Sequence, residues 1–168
     1  MDSGNLSSSS EGRALMGYDI YTAAPDQAQA EKFARKYGYA YLFKDIGLEV
    51  EQLTGEQPMP KIPDNAVFDG GPTVYFRSNI WGMREVRKYF ADLFNQMPEH
   101  TQKEHIQVFS DFLETLSWNE GRHVTSPNIL KILWCIQSFG QDVGQNELVE
   151  EFIEYMEIAS TLDGFYVW

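Results

Sequence analysis

A chain of 168 residues with 43 % hydrophobic and 14 % aromatic content has enough apolar side chain for one globular unit and too much to stay disordered. Its net charge of −12 favours solubility and disfavours binding to the phosphate backbone of DNA or RNA. A lone cysteine, Cys135, excludes an intrachain disulfide and a cysteine-built zinc site, and no apolar run reaches the length of a membrane-spanning helix.

Residues 1–15, MDSGNLSSSSEGRAL, read as a polar tail without the basic-then-apolar order of a signal peptide. Met16 stands directly before the first patterned segment and reads as a second candidate start. Residues 16–168 are expected to form one domain. Gly17–Thr22, GYDIYT, has the β-branched and aromatic make-up of a strand. A helical pattern follows Pro25-Asp26, with Ala30, Phe33, Ala34, Tyr37 and Tyr41 on one face. Gly38 and Gly47 weaken it, and Leu48–Leu53 reads as a continuation. Gly55–Pro72, with three glycines and four prolines, is expected to be a loop.

Thr73–Arg77 reads as a strand running into a helix that Ser78 or Asn79 would cap, with Met83, Val86, Phe90, Leu93 and Met97 as its buried stripe. Pro98 ends that helix. Thr101, with Glu104 three residues on, reads as the capping box of the next, whose apolar face is Ile106, Phe109, Phe112 or Leu113, and Leu116. Asn119–Thr125 is a turn leading to a short extended piece. Ser126 and Pro127 start a helix with almost no polar face, which is expected to be the central one. Asn146–Leu162 is amphipathic, with Glu147, Glu150, Glu151, Glu154 and Glu157 turned mainly outward. Gly164 stops it, and Phe165–Trp168 reads as a strand. The expected class is α+β, with about five helices packed on a small three- to four-stranded sheet.

The charge is uneven. Arg77, Arg84, Arg87 and Lys88 cluster around a single Glu85, whereas no basic residue follows Lys131. Arg77, Asn79, Trp81 and Arg84 at a strand-to-helix junction suit an anion, through bidentate donors and a planar stacking surface. Ion pairing with the protein's own carboxylates and burial of Trp81 is the competing explanation. Trp118, Arg122 and His123 form a second candidate contact loop, against which stands an ordinary turn with Trp118 covering the core. The glutamate face of the last helix is a candidate surface for a basic partner. His100, His105 and His123 lack the spacing of a helical metal pair, and no nucleophile, phosphate or dinucleotide motif is present, so neither metal nor cofactor is expected. The acidic helix argues against reading the last two helices as a DNA-binding pair.

GYDIY at Gly17–Tyr21, YFRSNIWGM at Tyr75–Met83, WNEGRHVTS at Trp118–Ser126 and GFYVW at Gly164–Trp168 together resemble an uncharacterised group of small proteins from actinobacteria and their phages. Ser126-Pro127 stands where that group has a Thr-Pro-like start, and Asp163-Gly164 where it has two glycines. The resemblance implies provenance rather than mechanism, and draws attention to Arg77, Asn79, Trp81 and Gly82. The expected function is a non-enzymatic, phage-associated binding protein of the (host) cytoplasm that acts on a host factor or sequesters an anionic ligand. The alternatives are an enzyme on a small anionic or nucleotide substrate, with His123 as base, and a structural component of a phage assembly.

Overall fold

The computed structural model describes residues 17–37, 67–68 and 71–168. Strand β1 (Gly17–Thr22) is followed by α1 (Gln27–Tyr37), the two-residue strands β2 (Val67–Phe68) and β3 (Gly71–Pro72), then β4 (Tyr75–Asn79). Helices α2 (Ile80–Gln96) and α3 (Glu99–Ser117) form a hairpin closed at Met97-Pro98. β5 (Arg122–Val124), α4 (Ser126–Phe139), a 3-10 turn (Gly140–Asp142), α5 (Glu147–Ala159) and β6 (Phe165–Val167) complete the chain. The class is α+β, as expected. No helix among the described residues is long and apolar enough to cross a membrane.

Four strands form one antiparallel sheet in the order β4-β1-β6-β5. Alternation along each strand divides its side chains between two faces. Ile20, Phe76, Phe165, Val167 and Val124 face the helices and are buried. Asp19, Tyr21, Tyr75, Arg77, Tyr166 and His123 occupy the opposite parity in the register. The helical side is filled by aromatic rings in edge-to-face contact. Phe112 of α3 meets Phe90 of α2 at 4.9 Å, Phe90 meets Phe152 of α5 at 6.2 Å, and Phe152 reaches Phe76 at 5.1 Å and Phe165 at 5.9 Å. Each buried ring contributes about 1.5–3 kcal/mol relative to exposure. The chain thereby ties three helices to two strands through a single run of rings.

Helix α2 is the central helix: it packs against α3, α4, α5 and strands β1 and β4. This corrects the expectation for α4. Ile129, Ile132 and Cys135 of α4 are buried, but Leu130 and Trp134 are exposed, so its apolar residues serve two sides rather than one deep core. Several boundaries also differ. β4 is Tyr75–Asn79, two residues later than expected, because pairing with β1 defines it. α3 begins at Glu99, and Thr101 is buried in its first turn instead of capping it. The cap of α4 is Thr125, whose Oγ1 accepts from the Asn128 amide, while Ser126 is already helical. α5 ends at Ala159, and the following turn places Asp163 and Gly164 at φ 61° and 85°. Within the stretch expected to be loop, Val67–Phe68 pairs with Gly71–Pro72. Tyr41, Leu48–Leu53 and the tail lie outside the described residues.

Candidate functional site

β4 runs straight into α2, and Asn79 governs the junction. Its backbone is extended, and its Oδ1 accepts a hydrogen bond from the Gly82 amide at 2.8 Å, satisfying one of the helix's orphan donors. Gly82 has no room for a side chain. A Cβ there would lie 2.1 Å from Ser78 Oγ and 2.6 Å from Leu148 Cδ2, so the first turn is pressed against the strand end and the start of α5. That packing turns Trp81 to solvent, 60 % exposed. One turn on, the guanidinium of Arg84 lies 4.9 Å from the Trp81 ring centre. Arg84 makes no ion pair among the described residues. Trp81 is therefore not a core residue, and no described carboxylate pairs with Arg84.

The second motif arrives at the same place. Trp118 ends α3 with extended backbone and is 55 % exposed. Asn119 donates to the Gly17 carbonyl at 3.1 Å, and the Tyr18 hydroxyl donates to the Ser117 carbonyl at 3.1 Å. Arg87 of α2 donates to the Leu116 carbonyl at 3.0 Å. Gly17 is in turn the register partner of Asn79. Trp168 exchanges both backbone hydrogen bonds with Asp19, at 2.9 and 2.7 Å, and its ring lies over Gly121. At Gly121 a Cβ would stand 2.6 Å from the ring, and φ is 82°, so glycine is required twice over. Asn79 lies one strand spacing from Gly17, and Trp168 lies one further spacing across the sheet, opposite Asp19. Three of the four tryptophans, Trp81, Trp118 and Trp168, stand on segments that end at the same end of the sheet, Trp168 with the parity of Asp19 on the face away from the helices. Trp168 was missing from the sequence-based set, because the register that seats it is a long-range pairing.

Arg122 and His123 part company. As consecutive strand residues they point to opposite faces. Arg122 turns to the helical side, where it pairs with Glu114 of α3 at 2.5 Å and with Glu120 at 3.4 Å. The Glu114 hydrogen bond, ahead of the charge of Glu120, raises its pKa. His123 lies on the other face, stacked on Tyr166 at 4.5 Å, with Nε2 2.8 Å from the Asp163 carbonyl oxygen. Arg77 shares that face but sits on β4, the opposite edge strand, as cross-strand neighbour of Asp19. Three strand spacings across the sheet and two residues along it, about 16 Å, separate Arg77 from His123. Between them lie Tyr166, Tyr21 and Tyr75, and the Tyr75 hydroxyl donates to the Asp19 carboxylate.

The glutamate face is also divided. Glu147, Glu150 and Glu157 are exposed, whereas Glu151 is half-buried. Glu154 departs from the expected outward orientation. It accepts from Lys36 Nζ and from the Tyr37 hydroxyl, each at 2.7 Å, and so ties α5 to α1. Burial pushes its pKa up, but the hydrogen bonds from Lys36 and Tyr37, with the charges of Lys36 and Lys32, leave it below the ordinary carboxylate value. Among the described residues no group of three or more His, Cys, Asp or Glu could hold a metal ion.

No protein-family model, no curated protein and no solved structure matches this chain. The fold and the surface define an α+β protein with an exposed tryptophan–arginine patch at one end of its sheet.

Proposed function

We propose that the chain is a binding protein rather than a catalyst, and that its contact surface is the sheet end carrying Trp81, Arg84, Trp118 and Trp168. The observation that carries this reading is the exposed Trp81 indole beneath a guanidinium without a carboxylate partner among the described residues. An indole left in water gives up burial free energy, and Trp and Arg are the residues most enriched among those that dominate protein interfaces. Asn79 supports the surface by holding the helix start, and Arg122 by bracing the Trp118 loop against α3 through Glu114. The resemblance to actinobacterial and phage proteins suggests a host factor as the partner, met in the cytoplasm. The exposed carboxylates of Glu147, Glu150 and Glu157 would add long-range attraction toward a basic partner.

The enzyme reading draws less support. It needs an arginine-held anion within reach of His123, and about 16 Å lies between that histidine and Arg77. His123 instead stacks on Tyr166 and meets a backbone carbonyl.

A photoreactive benzoylphenylalanine at position 85, one turn from Trp81 on the same helix face, tests the proposal in cells expressing the chain. The expected result is an adduct of defined mass, absent from a probe at Thr161 and lost when Arg84 is replaced by Ala. No adduct, or the same adducts from both positions, overturns it. An assembly role is tested separately: a monomer at high concentration in size exclusion counts against it.

A further inference from the structure

We propose that the groove between α2 and α3 receives an amphipathic α-helix of a partner protein, its apolar stripe in the groove and a carboxylate at Arg84. This rests on the reading of the Trp81–Arg84 surface as the contact surface and names the form its partner takes.

The groove, of about 230 Å³, is lined by Ala91, Phe94, Ile106, Phe109 and Leu113, with Asn95 and Ser110 at its rim. Ile106 is 58 % exposed, although it lies on the face expected to be buried. Because α2 and α3 are joined by two residues, they run antiparallel, and the Arg87–Leu116 hydrogen bond fixes the Arg84 end of α2 beside the Trp118 end of α3. Arg84 precedes Ala91 by seven residues, two turns along the same helix face. The apolar groove therefore leads from Ile106 toward Arg84 and Trp81.

Charge decides the chemistry of the occupant. Lys88 is paired with Asp92, Lys103 with Glu99 and Arg122 with Glu114, so these rim charges are already matched. Arg87 spends a donor on a carbonyl. Among the described residues Arg84 meets only an indole face, which makes a carboxylate the complementary group at that end. The walls decide the conformation. Both are helices whose backbone groups are bonded internally, so they offer no strand edge for an extended peptide, whereas ridges of a third helix fit between two packed ones.

Isothermal titration with synthetic helices tests this. The first probe carries Leu at i, i+3, i+4 and i+7, two Glu residues at one end, and Ala and Gln elsewhere. The second replaces the Glu pair by Lys, and the third scrambles the Leu positions. Binding of the first and not of the third is expected. Ile106→Asp, checked for folding by circular dichroism, should weaken it about tenfold or more through the lost apolar contact. Arg84→Glu should weaken the Glu helix and strengthen the Lys helix, each by up to about fivefold. The proposal is overturned if the Glu helix does not bind, or binds Ile106→Asp equally well. An unchanged Glu-over-Lys preference in Arg84→Glu overturns the carboxylate assignment. Sedimentation showing a dimer that Ile106→Asp dissolves would make a second copy the occupant and overturn the partner helix. If the helices fail while the position-85 adduct persists, the groove assignment falls and the binding surface stands.

Discussion

Arg84 lies 4.9 Å from the ring centre of Trp81 on a helix face that no described element covers. A surface pair of this kind contributes about 0.5–1 kcal/mol. Trp81→Ala and Arg84→Ala should each lower unfolding free energy by about 1 kcal/mol or less, since neither side chain is buried. Both should abolish the position-85 adduct. A large loss of stability in urea denaturation would show that the pair supports the fold instead of a contact.

Two buried tyrosines should respond in opposite directions to loss of the hydroxyl. Tyr89 Oη is buried and has no hydrogen-bond partner among the described residues, and burial raises its pKa. Tyr155 Oη donates to the buried Val74 carbonyl at 2.8 Å. Tyr89→Phe is expected to be neutral or to stabilise by about 1 kcal/mol, and Tyr155→Phe to cost about 0.5–1.5 kcal/mol. Val74 keeps a second donor, the Thr22 amide at 3.0 Å, which holds the latter cost at the ordinary level. Equilibrium unfolding of the two variants side by side checks the sign.

The turn before β6 offers a sharper contrast. Asp163 and Gly164 both have positive φ, but only Gly164 is crowded: a Cβ there would stand 1.9 Å from the Val124 carbonyl oxygen. Asp163→Gly should change stability by no more than about 1 kcal/mol, as relief of the left-handed strain offsets the entropy of the added glycine. Gly164→Ala should cost at least about 3 kcal/mol or prevent folding, because β5 must move off β6. Thermal melts that rank the two variants the other way would refute this account of the turn.

Glu154 makes the α1–α5 contact pH-dependent. Its folded-state pKa is depressed, so its contribution is present above the unfolded carboxylate pKa and is lost as pH falls through the folded value. Glu154→Ala should cost about 1 kcal/mol or less near neutral pH, given the solvent screening of this half-buried site. The gap between the variant and the parent in urea midpoint should narrow as pH falls below the ordinary carboxylate value and the parent's carboxylate takes up its proton. A gap that persists unchanged in acid would assign the effect to packing.

Cys135 is fully buried in α4, and burial pushes its thiol up to about 11. Ellman's reagent at mildly alkaline pH should find it silent in the folded protein and stoichiometric in denaturant. Rapid labelling of the native chain would mean that α4 opens locally.

Local chemistry made much of this legible in the sequence. Asn79 caps the helix that follows it, Pro98 breaks the hairpin, and Met83, Val86, Phe90 and Leu93 form the buried stripe that their spacing predicts. These are properties of a few neighbouring residues, set by side-chain reach and by the period of the backbone. The β-branched and aromatic composition of GYDIYT, which forms β1, belongs with them. What lay beyond reach was which apolar face is covered and which distant segments adjoin. Leu130, Trp134 and Ile106 look like core residues in sequence and are left outside because α2, not α4, occupies the centre. β5 exists only through its pairing with β6, and that pairing turns Arg122 and His123 to opposite faces. The tryptophan–arginine motif itself was visible from its composition. Its gathering with Trp118 and Trp168, and its distance from His123, were decided by the order β4-β1-β6-β5, because strand partners are chosen by contacts between segments far apart in the chain.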